Sequence, residues 1–286
     1  MSASQVARRM WTLFEPIHAM TYFAAEARAA YEAAGLRGFW RGYFAGRSAP
    51  LGRVSSAPVT ASFFTFAPQM VSRALPDVWN LISPEQALAA REAGAVTALS
   101  RVLGDLSDAA DVAADMLSVA VADVDCSGRV LAAANAALPV PSGPIARLWH
   151  AATVLREHRG DGHFAALLAA DVDGCESNVL RAAFDLPRET IQPLRGWTDR
   201  QWDGAAARLS GRGMIAEDGA ATLAGTELRA SIEAATDAAA ARPWQDQEFA
   251  ADLADVLFPI ARACSAELPA LNPVGVPVPK EAVVDA

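Results

Sequence analysis

The run WTDRQWDGAAARLSGRGMIAEDGAATLAGTELRASIEAATDAAA, Trp197 to Ala240, constrains the fold more than any other part of the chain. Thr198 has the chemistry of an N-cap, a hydroxyl able to accept from free amides of a first helical turn, and predicts a helix through Leu209. GRGMIAEDGAATLAG places two short apolar pieces around Glu217-Asp218-Gly219, a hairpin signal. TLAGTELRASIEAATD then returns to helical character. Preceded by further helical pieces, this predicts helices, a two-stranded turn, and a closing helix.

The rest of the chain reads as helix almost throughout. Alanine, a strong helix former, is abundant, and 52% of residues are apolar, enough for a substantial core. Val6 to Ala34 predicts one helix, bent at Pro16 and stopped at Gly35, with Met10, Leu13, Phe14, Ile17, Met20 and Tyr22 in an apolar stripe. GLRGFWRGYFAGRSAPLG is too rich in glycine for a helix and predicts a loop near 39–52. PVTASFFTFAPQMVSRAL predicts a helix bent at Pro68. Ser83-Pro84-Glu85 combines an N-cap, a first-turn proline and a first-turn acid, and starts another helix. PVPSG, at 139–143, is the clearest break and sets a domain boundary. Beyond it, PIARLWHAATVLREH predicts a helix interrupted at Gly160, with Asp161 or the turn before it capping the next. CESNVLRAAF follows the Asp173-Gly174 turn as a short helix, and QDQEFAADLADVLFPIARACS forms a final one.

Two resemblances sit on these residues. ARLSGRGMI and TLAGTELR resemble the recognition-helix end and post-wing helix of MarR-type winged-helix proteins, over about residues 145–240. EPIHAMTYF, GYFAGRSAPLG, ALPDVW, LWHAATVLREHRGDGHFAALLAA and RGWTDRQWDGAAARLSGRG resemble an actinobacterial family of similar length labelled helix-turn-helix, across most of residues 8–244. The implied fold is mainly α: a helical N-terminal domain (1–140), a MarR-like winged helix with a small β-wing (141–244), and a C-terminal helix with a Pro-rich tail (245–286). Neither resemblance implies a reaction or a cofactor. The first implies a homodimer.

Charge argues against simple DNA reading. The net charge is −9. Residues 1–100 carry nine arginines against six carboxylates, whereas residues 101–200 carry nine against fourteen. Asp199 and Asp203 lie on the expected recognition helix, and Glu217-Asp218 on the expected wing tip. Each opposes a polyanion, because reading surfaces rely on Arg, Lys, Asn and Gln. Three dispersed cysteines with no CxxC pair imply neither a zinc knuckle nor a disulfide framework. With no apolar leader at the start of the chain and no membrane-length apolar run, the expected compartment is the reducing cytoplasm.

Three stretches carry candidate binding chemistry. In His158-Arg159-Gly160-Asp161-Gly162-His163, His158, Asp161 and His163 read as a hinge between helices, a ligand or catalytic group, or metal ligands. The spacing HxxDxH is no zinc-hydrolase signature, and no third ligand is evident, so no metal is expected. Glu15, His18 and Tyr22, with Glu26, fall on one helical face and read equally as a buried network or a pocket wall. Arg41, Tyr43 and Arg47 alternate with aromatics and glycines, a pattern that suits an anion held by arginine forks or a turn packed by aromatics.

The expected function is therefore small-molecule binding in a cleft between the two halves, in a protein that acts as a ligand-responsive regulator. The rival is an enzyme on the same scaffold, with His18 or His163 as acid/base and Arg41 or Arg47 holding an anionic substrate.

Overall fold

The computed structural model describes residues 1–122 and 124–280; residues 281–286 of the expected tail lie outside the described residues. The chain forms α1 (Ala3–Phe23), α2 (Ala25–Ala33), α3 (Phe39–Ser48), α4 (Ser56–Phe63), α5 (Pro68–Ser72), α6 (Pro84–Leu103) and α7 (Ser107–Ala122). There follow α8 (Val130–Ala136), α9 (Pro144–Ala169), α10 (Gly174–Ala182), α11 (Arg188–Arg195), α12 (Asp199–Gly211), α13 (Leu223–Ala239) and α14 (Gln247–Ala266). Among the described residues, no helix is long and apolar enough to cross a membrane.

Local signals place many helix starts. Ser83, Asp173 and Thr198 each form a capping box with the residue three positions on, Gln86, Glu176 and Gln201. Such caps satisfy amides that a helix leaves free at its first turn.

Packing divides into a main core and smaller ones. α1, α7, α9 and α14 bury Met10, Leu13, Ile17, Leu117, Trp149, Leu253 and Leu257 together. The face of α7 in this core is small, with Ala110, Ala113 and Ala114 fully buried, so α9 can approach it closely. A second core is aromatic: Tyr43, Phe44, Phe63 and Phe66 interlock with ring centroids 5.3–6.3 Å apart. A third joins α10, α11 and α12 through Val179, Leu180, Ile191, Trp202 and Leu209. Each large side chain so buried contributes roughly 1.5–3 kcal/mol.

Four sequence expectations are corrected. Val6 to Ala34 is two helices: Pro16 is accommodated within α1, and the break falls at Ala24, whose backbone is extended. The expected loop at 39–52 is α3, ending in a short 3₁₀ turn, Ala49–Leu51. Its glycines are slots for a neighbour: a Cβ at Gly42 would lie 2.8 Å from the Tyr31 ring, and one at Gly46 would collide with the Tyr31 hydroxyl. Tertiary packing thus outweighs the helix cost of glycine, about 1 kcal/mol each.

The expected interruption at Gly160 is absent, and α9 runs unbroken from Pro144 to Ala169. Here Gly162 makes room for Arg129, whose guanidinium donates to the His158 and Ala239 carbonyls. A Cβ at Gly162 would stand 2.6 Å from Arg129 Nη1.

The winged helix with a β-wing is overturned. Among the described residues there is no strand, only one isolated antiparallel bridge between Ile215 and Ala221. The turn closes with Ala216 N donating to Ala220 O at 2.8 Å, and the chain at once enters α13, where Thr222 accepts from Gly225 N. The N-cap at Thr222 takes the residues that a longer ladder would need, and an isolated pair of short strands is not stable alone.

Candidate functional site

α1, α3, α9, α10, α11 and α13, with the segment at 274–275, enclose a cleft of about 350 Å³. Its chemistry starts on α9, where WHAATVL gives way to Arg156-Glu157-His158-Arg159. Glu157 is buried and takes a two-pronged contact from Arg47 of α3, Nε to Oε1 and Nη2 to Oε2, both 3.1 Å. Arg156 Nη1 adds a bond of 2.8 Å to Glu157 Oε2. Burial alone would raise the Glu157 carboxyl, but Arg156 and Arg47 overcome it and hold the group well below the usual carboxylate range. Arg47 also donates to Tyr43 Oη at 3.1 Å and lies over the Phe63 ring at 4.2 Å.

A second charged cluster lines the α1–α13 side. Arg8 Nε donates to Asp237 Oδ2 at 2.8 Å, Arg159 Nη2 to Asp237 Oδ1 at 2.9 Å, and Arg8 also pairs with Glu233. Arg159 stacks over Trp11 at 4.4 Å. Trp11 Nε1 in turn donates to Glu15, whose carboxyl burial pushes upward.

At the α10–α11 end, Arg181 Nη1 and Arg195 Nη2 both donate to the carbonyl of Pro273, at 2.8 and 2.6 Å. Arg181 has Asp185 as a carboxylate partner; Arg195 makes no ion pair among the described residues. The Arg195 guanidinium lies over Phe66 at 4.5 Å, and its Nε is buried without a hydrogen-bond partner. Burial first, then nearby Arg181, Arg47 and Arg156, push Arg195 down to about 10.

Of the residues singled out in the sequence, the cleft gathers Glu15, Tyr43, Arg47 and His163. His163 Nδ1 lies 2.9 Å from Thr236 Oγ1, which already donates to the Ile232 carbonyl. Nδ1 therefore carries the proton and Nε2 is left as an acceptor. Burial lowers His163 to about 4, so the ring is neutral at pH 7.

The other five lie elsewhere. His18 is buried against Thr153 and Tyr22, each 3.0 Å from a ring nitrogen, and is parallel to Trp149. Tyr22 faces a smaller recess shared with Tyr31 and Gly42. Arg41 is exposed on α3. His158 is buried on another side of α9. Asp161 Oδ2 accepts from Leu131 N and Ala132 N at 2.9 and 3.0 Å, anchoring the start of α8.

Sequence reasoning missed Arg156, Glu157, Arg159, Arg181, Arg195 and Glu233. A signal existed for the first three: charges following directly on a buried apolar stretch. Arg195, just before the helix-ending Gly196, carries none.

Seven guanidiniums reach the cleft: Arg8, Arg47, Arg156, Arg159, Arg181, Arg195 and Arg229. Among the described residues, the carboxylates that pair with them are five, Glu15, Glu157, Asp185, Glu233 and Asp237. In a chain of net charge −9, this is a local excess of positive charge.

A family model described as a helix-turn-helix family matches residues 7–270. The chain belongs to this helix-turn-helix family. No curated protein and no solved structure matches it. In this helix-turn-helix protein, α12 follows α10 and α11 and packs on them through Trp202, Ala205 and Leu209. Internal ion pairs flank that packed face of α12. Arg188 holds Asp199 and Asp203 at 3.0 and 2.8 Å. Arg208 pairs with Asp173 and Glu176, and Arg200 is exposed.

Proposed function

We propose that this helix-turn-helix protein binds a small organic molecule in the cleft between α1, α9 and α13 and the α10–α11 pair. One observation carries the reading: a cleft of about 350 Å³ whose walls combine aromatic rings with a dense, mutually oriented set of charged side chains. The volume falls in the range of roughly 300–1,000 Å³ usual for small-molecule sites, and the density of charge on the walls points to a charged ligand rather than an apolar one. α10 and α11 form one wall of the cleft and also pack on α12. A ligand that prefers one placement of α10 and α11 therefore biases α12, a route for ligand-responsive regulation of whatever partner α12 engages. Native mass spectrometry of protein purified without added ligand tests the occupancy. A bound mass that the unfolded chain lacks supports the reading. A bare chain mass, with no thermal stabilisation from any member of a small-molecule panel, overturns it.

The family supports a second reading, nucleic-acid binding through α12. Against it stand Asp199 and Asp203 on the exposed face, and the engagement of Arg188 and Arg208 with internal carboxylates. A mobility-shift titration with duplex DNA over a salt series separates the two. Phosphate-contacting readers lose affinity with a log–log slope of about −0.9 per phosphate neutralised. Binding that is undetectable even at low salt rejects this second reading.

A further inference from the structure

The Arg195 corner of the cleft contains a cation that the protein itself leaves under-compensated. Two guanidiniums, Arg181 and Arg195, converge on one neutral oxygen, the Pro273 carbonyl. Among the described residues, only Arg181 has a carboxylate within reach. Arg195 is 9% exposed, and its Nε has no partner. A buried, uncompensated charge with an unmet donor is costly, so such an arrangement calls for an anionic acceptor, which the described residues do not supply. The Pro273 carbonyl shows that an oxygen is accommodated where the two forks meet. Beside it, the Phe66 and Tyr43 rings, 5.5 Å apart between centroids and tilted 45° to each other, line the cleft with apolar surface.

We infer that this corner binds an organic oxyanion, a carboxylate or phosphate head on an apolar body, with Arg195 and Arg181 holding the head and Phe66 and Tyr43 packing the body. The inference rests on the small-molecule reading of the cleft and specifies the class of ligand. An arginine fork suits it, since guanidinium presents paired donors in the geometry that carboxylate and phosphate oxygens accept. The lowered basicity of Arg195 agrees: a group that lacks a counter-charge is the one that an incoming anion stabilises most.

The probes are phenylacetate, phenyl phosphate and the neutral isostere phenylacetamide, followed by ligand-observed NMR and thermal shift on the full chain. The wild type is expected to bind at least one of the anions about tenfold or more tightly than the amide. Which anion wins distinguishes a carboxylate from a phosphate ligand. Arg195→Met is expected to abolish the preference for the anion, and Arg195→Lys, which keeps charge but loses the fork, to weaken it. Circular dichroism reports whether each variant folds. If Arg195→Met does not fold, the wild-type comparison of anion with amide still decides. Equal binding of anion and amide by the wild type, or undiminished anion binding by folded Arg195→Met, overturns the oxyanion inference and leaves the cleft reading standing. Binding of none of the three probes, together with a bare native mass, overturns both.

Discussion

Arg47 and Glu157, 110 residues apart in sequence, meet in a two-pronged ion pair with 5% and 2% of their side chains exposed. The pair ties α3 to α9 beneath the cleft, and Arg156 leans on the same carboxylate. Removing one partner leaves a buried charge unanswered, which costs about 3–5 kcal/mol, whereas removing both costs much less. Glu157→Gln and Arg47→Met are therefore each expected to lower unfolding stability by about that amount, and the double variant by less than the sum. Urea titrations of the two singles and the double measure it. Strictly additive losses would show that the two side chains do not depend on each other.

The two glycines beside this pair predict opposite outcomes. An alanine at Gly160 meets nothing closer than 3.9 Å, so Gly160→Ala is expected to stabilise α9 by about 0.5–1 kcal/mol. An alanine at Gly162 would press on Arg129, which two carbonyls hold in place, and on Ala239 Cβ at 3.3 Å. Gly162→Ala is expected to destabilise by about 1–3 kcal/mol despite the better helix propensity. Paired denaturant midpoints decide, and a stabilised Gly162→Ala would contradict the packing described.

The same residues show what was legible in the sequence. Ser83 and Thr198 marked helix starts correctly, because a cap is made with the next few residues and needs nothing distant. Gly160 and Gly42 were misleading, since α9 and α3 run straight through them. The neighbours that fill the slots at Gly42 and Gly162 are Tyr31, Arg129 and Ala239, which only the fold brings near. The β-wing failed on length, since the pieces either side of Glu217-Asp218-Gly219 support a single bridge before Thr222 starts a helix. Glu15, Tyr43, Arg47 and His163 could be named because aromatics, arginine and histidine stand out as types. That Arg195 has no counter-ion among the described residues is a property of three-dimensional pairing and has no sequence counterpart.

The sequence offers Asp161, or the turn before it, as the cap of a following helix; in the fold Asp161 caps α8, thirty residues back, through Leu131 N and Ala132 N. Burial raises its carboxyl to about 6. Asp161→Ala is expected to cost about 1–2 kcal/mol, the usual loss for a helix cap. Hydrogen exchange at Leu131 and Ala132 should accelerate in the variant while the amides of α14 keep their protection. Unchanged exchange at those two amides would refute the assignment.

The four histidines set the acid sensitivity. Burial lowers His150, His158 and His163 to about 4 each, and holds His18 well below the ordinary value of 6.5. With the folded value depressed, the unfolded chain binds more protons between pH 6.5 and 4, so stability falls as pH drops through that window. Each fully titrating histidine removes about 1.4 kcal/mol per pH unit. Asp161 opposes them. Its folded value lies above its ordinary 3.8, so the folded chain binds the extra proton, and this one group adds stability as pH falls from about 6 towards 3.8. Burial raises Glu15 and Asp237 as well, so four imidazoles stand against three carboxyls; Glu157 and Glu233, held low by their arginines despite burial, add to the loss at the acid end, and the balance is a net loss. Urea midpoints at about pH 7.5, 5.5 and 4.5 should therefore decline in that order, and His163→Gln, which keeps a polar partner for Thr236, should flatten the decline. A midpoint that holds steady or rises on acidification would mean that the imidazoles are protonated within the fold, and would remove the case for a neutral His163 facing the cleft.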